Sequence, residues 1–195
     1  MALSHTVEAG RIFHMPGQQV ELNPVSRITI NAIGQPGQRT FYIQGRRSAQ
    51  IVTLICEKET ARALAEALLQ FLDELKEKFP AGAKYMKNVA NMDLEEPIAP
   101  DFRVGGMRLG YDENRDLIVI VCSELLAEDI DESEGSVVRF FCTRAQIDAL
   151  ANHTMDVVVR GRPMCHLCGK PMDADGNVQG FCPRRNGHAD ELVFA

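Results

Sequence analysis

The chain has 195 residues, of which 45% are hydrophobic and 25% charged, and its formal net charge is −6. This length fits one large domain or two small ones, with enough residues to bury a core. The acidic balance argues against a general nucleic-acid binder and against docking on an anionic membrane. The sequence has no secretory signal at its start and no apolar run long enough to span a bilayer. A cytoplasmic location is therefore expected.

The first part of the sequence predicts three strands followed by a helix. Residues 1–24 are mixed in character and carry two turn signals, so they are interpreted as an N-terminal extension. Residues 25–79 form the first half, in which alternating polar and apolar residues indicate half-buried strands. Apolar residues at spacings of three and four then predict a helix. The predicted strands cover 27–33, 40–44 and 50–56, and the helix covers 58–78.

After a linker over residues 80–101, the same pattern returns in residues 102–162. Thr143 and Gln146 have the spacing of a capping box at the start of the second helix. Residues 50–64 align without gaps on residues 136–150, which superimposes Cys56 on Cys142. The predicted strands of this half cover 102–111, 117–123 and 136–142, and the helix carries Ile147, Leu150, Ala151, Met155 and Val158 on one face.

The predicted fold class is therefore α+β, with two similar strand-strand-strand-helix halves. Each half is expected to be an antiparallel sheet packed by one helix, and residues 163–195 to form a zinc-knuckle tail. The gapless alignment favours an internal duplication. The alternative is that two ordinary strand-to-helix junctions share one binary pattern.

The tail has the ligand spacing of a zinc site. Cys165 and Cys168 are separated by two residues, Cys182 follows, and His188 lies six residues beyond it. Structural zinc prefers a closed tetrahedron of sulfur and nitrogen ligands, so one structural Zn²⁺ is predicted. His166 is a poor ligand because it lies between two others. The alternative is three reduced surface thiols, which cytosolic proteins tend to avoid.

The other cysteines, Cys56, Cys122 and Cys142, lie in or at the end of apolar strands. A nucleophilic thiol needs an adjacent base and a lowered pKa, and no histidine shares a motif with these residues. They are therefore predicted to be buried packing residues rather than catalytic ones. No catalytic residue is assigned.

Two groups of polar residues are candidates for ligand binding. Tyr42 and Gln44 share one face of a strand that follows Arg39, and this face either lines a binding groove or is simply exposed. In the tail, Arg184 and Arg185 either bind a phosphate or acidic partner or belong to a solvated mixed surface. The acidic loop over residues 124–134 lacks the spacing of a calcium loop and is expected to be exposed.

Several segments are distinctive in combination: GQPGQRTFYIQ (34–44), CEKE (56–59), LEEPIAPDFRVG (94–105), GRP (161–163) and CPRRNG (182–187). Together they resemble the bacterial family catalogued as domain of unknown function 3090, from Glu21 to His188. The resemblance implies a bacterial protein with a C-terminal cysteine motif and no assigned activity, often encoded beside a kinase-like and a phosphatase-like protein. The family often has a histidine just before its third tail cysteine, where this chain has residues 177–181. The fourth zinc ligand therefore stays open.

These observations favour a zinc-binding cytosolic protein that acts as a non-catalytic binding or adaptor module. Its partner would be another protein or a small anionic ligand, not a membrane or a nucleic acid. The alternative is an enzyme that acts on a small phosphorylated metabolite, with arginines positioning the substrate. A concave site with convergent titratable groups would distinguish the enzyme from the binding module.

Overall fold

Strands and helices follow one another in nearly the predicted order in the computed structural model, which describes residues 17–35, 37–80 and 91–160. The strands are β1 (Gln19–Leu22), β2 (Arg27–Ile33), β3 (Thr40–Arg47), β4 (Gln50–Cys56), β5 (Phe102–Asp112), β6 (Leu117–Glu124) and β7 (Val137–Thr143). The helices are α1 (Lys58–Lys78) and α2 (Arg144–Val159), and Glu132–Glu134 forms a short 3-10 turn. Neither of these two helices has the length and apolar character needed to cross a bilayer.

The strands form one mixed sheet in the order β1-β7-β6-β5-β4-β3-β2. The α+β class is confirmed, and each half has three antiparallel strands followed by a helix. The prediction of two separate antiparallel sheets is wrong, because β4 and β5 pair in parallel at Leu54–Phe102 and Ile55–Arg103. Just before β5 begins, the Asp101 N–H donates to the Thr53 carbonyl of β4 (2.7 Å). The predicted zinc knuckle lies outside the described residues.

Strand β1 lies within the predicted N-terminal extension. It pairs in parallel with β7, from Gln19 opposite Val137 to Leu22 opposite Phe140. Leu22 is fully buried, so this short strand contributes to the core. Four residues are too few for a clear alternating pattern, which explains why the sequence did not reveal it.

The sheet curls until its two edges meet. β1 and β2 lie at opposite edges, yet only residues 23–26 connect them. Five Cα steps span at most about 18 Å, whereas the outer strands of a flat seven-stranded sheet lie roughly 29 Å apart. The Val25 N–H donates to the Phe141 carbonyl of β7 (2.9 Å). The next N–H, that of Ser26, donates to the Arg46 carbonyl of β3 (2.7 Å), so adjacent residues bond to opposite halves.

The inner face of the curled sheet forms the core. A Cβ atom on Gly45 would lie 2.4 Å from the Phe140 ring and 3.1 Å from Leu22, so glycine is required for this close approach of β3 to β7. Burying each large apolar side chain contributes about 1.5–3 kcal/mol. Core residues from both halves belong to one cluster, including Ile30, Ile43, Leu54, Ile118, Ile120 and Phe140.

The two helices pack against each other and cover this core. The predicted apolar stripe of α1 is buried at Ala61, Leu64, Ala65, Leu68, Leu72 and Leu75. α2 buries most of its predicted face, and Met155 is half-buried. The capping box of Thr143 and Gln146 is confirmed. α2 also lies along the outer edge of β2, where the His153 imidazole hydrogen-bonds to the backbone of Ile30.

Candidate functional site

The polar face of β3 predicted as a candidate groove is covered by the chain itself. Gln44 is 3% exposed, and its side-chain amide accepts from the Glu95 N–H (2.8 Å) and donates to the Glu95 carbonyl (3.0 Å). Thr29 on β2 donates to the Met92 carbonyl (2.5 Å). Residues 91–101 therefore lie across the outer face of the first half. The sequence identified this stretch only as part of a linker.

The Glu95 carboxylate links this segment to two strands. Glu95 accepts from Arg27 (2.5 Å) and from Arg46 (2.7 Å), so one acidic side chain bridges β2 and β3. Arg27 also donates to the carbonyls of Asn91 (2.7 Å) and Asp93. Arg27 and Arg46 therefore serve the fold, because both contact groups within residues 91–101.

Arg39 and Tyr42, the other candidate ligand-binding residues of the first half, lie near one end of the sheet. The Arg39 guanidinium donates to the Val157 carbonyl in the last turn of α2 (3.1 Å) and stacks on Phe41 at 5.3 Å. Arg39 therefore links the β2–β3 hairpin to α2. Tyr42 is half-buried, and a ligand-binding role for it stays a prediction. Arg184 and Arg185 lie outside the described residues.

Arg144 joins three parts of the fold that the sequence did not connect. It begins α2 and is 2% exposed. Its Nε donates to the Asp116 carboxylate (2.7 Å), and its Nη2 donates to the Tyr111 hydroxyl (2.9 Å). Its Nη1 donates to the carbonyls of Leu75 (3.3 Å) and Phe79 (3.1 Å) at the end of α1. Carbonyls at a helix end need such partners, so this buried charge is paired and hydrogen-bonded.

Cys56, Cys122 and Cys142 are buried, as predicted for packing residues. Burial, followed by the charge of Glu57, raises the pKa of Cys56 to about 12. Burial, with a smaller effect from Cys56, raises the pKa of Cys122 to about 12. Burial also raises the pKa of Cys142. These thiols lack the thiolate character of a nucleophile.

Alkylation should distinguish buried thiols from activated ones. In the native protein at about pH 8, Cys56, Cys122 and Cys142 should react with iodoacetamide at least about a hundredfold more slowly than in guanidinium chloride. A rise of three pKa units lowers the thiolate fraction about a thousandfold. Peptide mapping by mass spectrometry gives the rate at each thiol, and the denatured protein serves as the control. Rapid labelling of any of the three in the native protein would contradict this assignment.

The predicted zinc ligands, Cys165, Cys168, Cys182 and His188, lie outside the described residues. Within residues 17–35, 37–80 and 91–160, no group of three or more His, Cys, Asp or Glu side chains is arranged to hold a metal ion. The zinc site stays a prediction that depends on the tail sequence. Its donor set, three thiolates and one imidazole, is one that structural zinc accepts.

One concave surface lies on the second half, and another lies between the two halves. A hollow of about 660 Å³ lies between the bulge in β5 and the loop that joins β6 to β7. A groove of about 280 Å³ lies between α1 and β5. The hollow is lined in part by Gly106, Arg108, Glu124, Leu125, Ile130 and Val137, and the groove by Ala63, Leu64, Ala67, Met107 and Leu109. Leu125 and Ile130 are exposed, as the sequence predicted for the acidic loop.

Comparison with known proteins identifies a family. Residues 20–179 match a family described as protein of unknown function (DUF3090). No match was found among curated proteins or among solved structures. The matched residues include both halves of the sheet, both helices and the first two predicted zinc ligands. The chain therefore belongs to the DUF3090 family of proteins of unknown function.

Proposed function

We propose that this protein is a non-catalytic binding module that holds an extended segment of a partner protein along the outer edge of β5. A zinc ion bound by Cys165, Cys168, Cys182 and His188 would stabilise its C-terminal tail. The observation that carries the binding proposal is the strand edge beside the groove of α1. Zinc rests on ligand spacing alone and is tested separately.

The outer edge of β5, which is the edge that faces away from β6, is suited to strand addition. β5 pairs with β4 only at Phe102 and Arg103, whereas its later residues pair with β6 on the other side. Among the described strands, none pairs with the outer edge of residues 106–112. Such an edge carries backbone groups that can bond an extended peptide. The proposed partner segment therefore adds a strand at this edge.

The groove beside the edge would select the side chains of the partner. Ala63 and Ala67 are exposed on α1 and face Met107 and Leu109 across the groove. Small residues on the helix leave space for apolar side chains of an added strand. Since side chains alternate along a strand, every second residue of the partner would enter the groove. The proposed ligand is an extended peptide with alternating apolar residues.

The enzyme alternative requires arginines that are available to a phosphate group. In the described part of the chain, Arg27 and Arg46 contact Glu95. Arg39 contacts the Val157 carbonyl, and Arg144 is enclosed by the ends of both helices. These four arginines already make contacts within the fold, which disfavours them as phosphate ligands. Arg108, which lines the hollow, is exposed.

Peptides selected from a random library for binding to the full chain should be apolar at alternating positions. Ala67→Arg should weaken their binding at least about tenfold, because a long side chain fills the groove while retaining helix propensity. Gln70→Arg is the matched control, since it adds the same residue to an exposed position of α1 outside the groove. Fluorescence anisotropy with a labelled selected peptide measures both affinities.

Equal loss of affinity in the two variants would indicate a charge effect and contradict the groove as the binding site. Unchanged affinity in Ala67→Arg would contradict it as well. Circular dichroism of both variants establishes that the helix content is retained.

A further inference from the structure

Arg108 lies between the two apolar residues of β5 that line the groove beside α1. Those residues, Met107 and Leu109, pair with residues of β6 that are fully buried. Cross-strand partners share a face, so Met107 and Leu109 belong to the inner face of the sheet. Arg108 pairs with the half-buried Val121 and lies on the outer face. A strand added at the outer edge of β5 would therefore meet apolar, charged and again apolar side chains in turn.

The side chain of Arg108 is accessible to a ligand. It is exposed, and it forms no hydrogen bond or ion pair with another residue of the described chain. Gly106 and Gly110, which flank it on the same face of β5, have no side chains that could cover it. A Cβ atom on Gly106 would have no heavy atom within 4 Å. Within the described residues, the outer face of β5 is therefore open next to Arg108.

Arg108 also gives the groove its charge. The other described residues that line the groove are threonine, alanine, leucine and methionine. Charged residues at the start of α1 are paired with other partners. Arg62 contacts Glu59 (3.0 Å), and Glu57, which precedes α1, contacts Arg103 of β5. Arg108 therefore supplies an unpaired positive charge at the site where the partner segment would bind.

We propose that the partner segment carries an aspartate or glutamate opposite Arg108, between two apolar residues that enter the groove. This inference rests on the proposed function and adds the charge of the partner to it. The Cβ atoms of directly opposed residues on neighbouring strands lie about 4.5–5.5 Å apart, so a carboxylate there can accept from the guanidinium. The net charge of the chain is −6, which attracts basic peptides in general. Selection of an acid at this position would therefore be due to Arg108 and not to the overall charge.

Selection from a random peptide library on the full chain tests this inference. Peptides selected by the wild-type protein should be enriched in aspartate and glutamate at one position with an apolar residue on each side. Arg108→Glu should change the enrichment at that position to lysine and arginine, because like charges directly opposite each other are unfavourable. Arg108→Gln should remove the charge preference. Arg47→Glu is the matched control, since Arg47 is an exposed residue of β3 outside the groove, and should keep the acidic preference.

Affinities of a selected peptide and of its lysine version give the size of the effect. Replacing the acid of the peptide with lysine should weaken binding to the wild-type protein at least about fivefold, because attraction becomes repulsion. The order should reverse in Arg108→Glu, which should bind the lysine version more tightly. Fluorescence anisotropy with both labelled peptides measures the four affinities, and circular dichroism of each variant establishes that it is folded.

The outcome with Ala67→Arg separates this inference from the proposed function. If Ala67→Arg weakens binding but the wild-type protein and Arg108→Glu select the same residues, the inference is overturned and strand addition stands. A basic preference in the wild-type protein would overturn it as well. Peptides that bind Ala67→Arg as tightly as the wild-type protein do not occupy the groove, and they would overturn both proposals.

Discussion

Purified protein is expected to contain one zinc ion per chain, and Cys165→Ser is expected to abolish zinc binding. Loss of one thiolate opens the tetrahedron formed with Cys168, Cys182 and His188. A closed site of this kind supplies on the order of 10 kcal/mol of folding free energy to a segment too short to build its own core. Zinc removal should therefore affect the tail while both halves of the sheet stay folded.

Metal analysis and limited proteolysis, with and without a chelator, measure these effects. Chelation should permit cleavage after about Arg162 and leave the preceding part of the chain intact. His166→Ala is the matched control and should retain one zinc ion, because His166 lies between two ligands. Metal-free protein with a protease-resistant tail would contradict the zinc site.

Arg144→Met is expected to lower the free energy of unfolding by about 3–5 kcal/mol. The substitution keeps an unbranched apolar stem but removes the guanidinium that bonds Asp116 and Tyr111. It also leaves the Phe79 carbonyl at the end of α1 without this donor. Removing one partner of a buried pair costs more than a surface ion pair contributes, because the remaining polar groups lose their partners.

Urea denaturation measures the change, with Arg62→Met as the matched control. Arg62 is 52% exposed on α1 and contacts Glu59 (3.0 Å) at the surface, so its loss should cost less than about 1 kcal/mol. A change of less than about 1 kcal/mol in Arg144→Met would contradict the role assigned to this arginine.

Local patterns predicted the individual elements well. Alternation identified β2 and β4 at the bounds they have in the structure, and apolar spacing did the same for α1. Thr143 and Gln146 marked the start of α2 because a capping box depends on neighbouring residues only. The pairing of distant strands leaves no such local signal. β1 and β7 join residues as far apart as Gln19 and Val137, and alternation specifies a face but not a neighbour.

The burial of particular polar residues was the second feature that the sequence did not predict. Alternation alone places Gln44 and Thr29 on a solvent-exposed face, but both are buried by the backbone of residues 91–101. That segment has no periodic pattern, so nothing in its sequence indicated a covering role. Arg144 likewise stands at a helix start, where solvation is the usual expectation. Its partners come from β5, from the turn between β5 and β6, and from α1.

Hydrogen exchange of the full chain with a selected peptide would test strand addition at β5 most sharply. Amides of residues 106–110 that point away from β6 should exchange more slowly when the peptide is bound, because they donate to the added strand. Amides of β3, which is paired on both sides, should not change. Slower exchange at 106–110 is the predicted result. Unchanged exchange at 106–110, with protection elsewhere on the chain, would contradict the binding module proposed here.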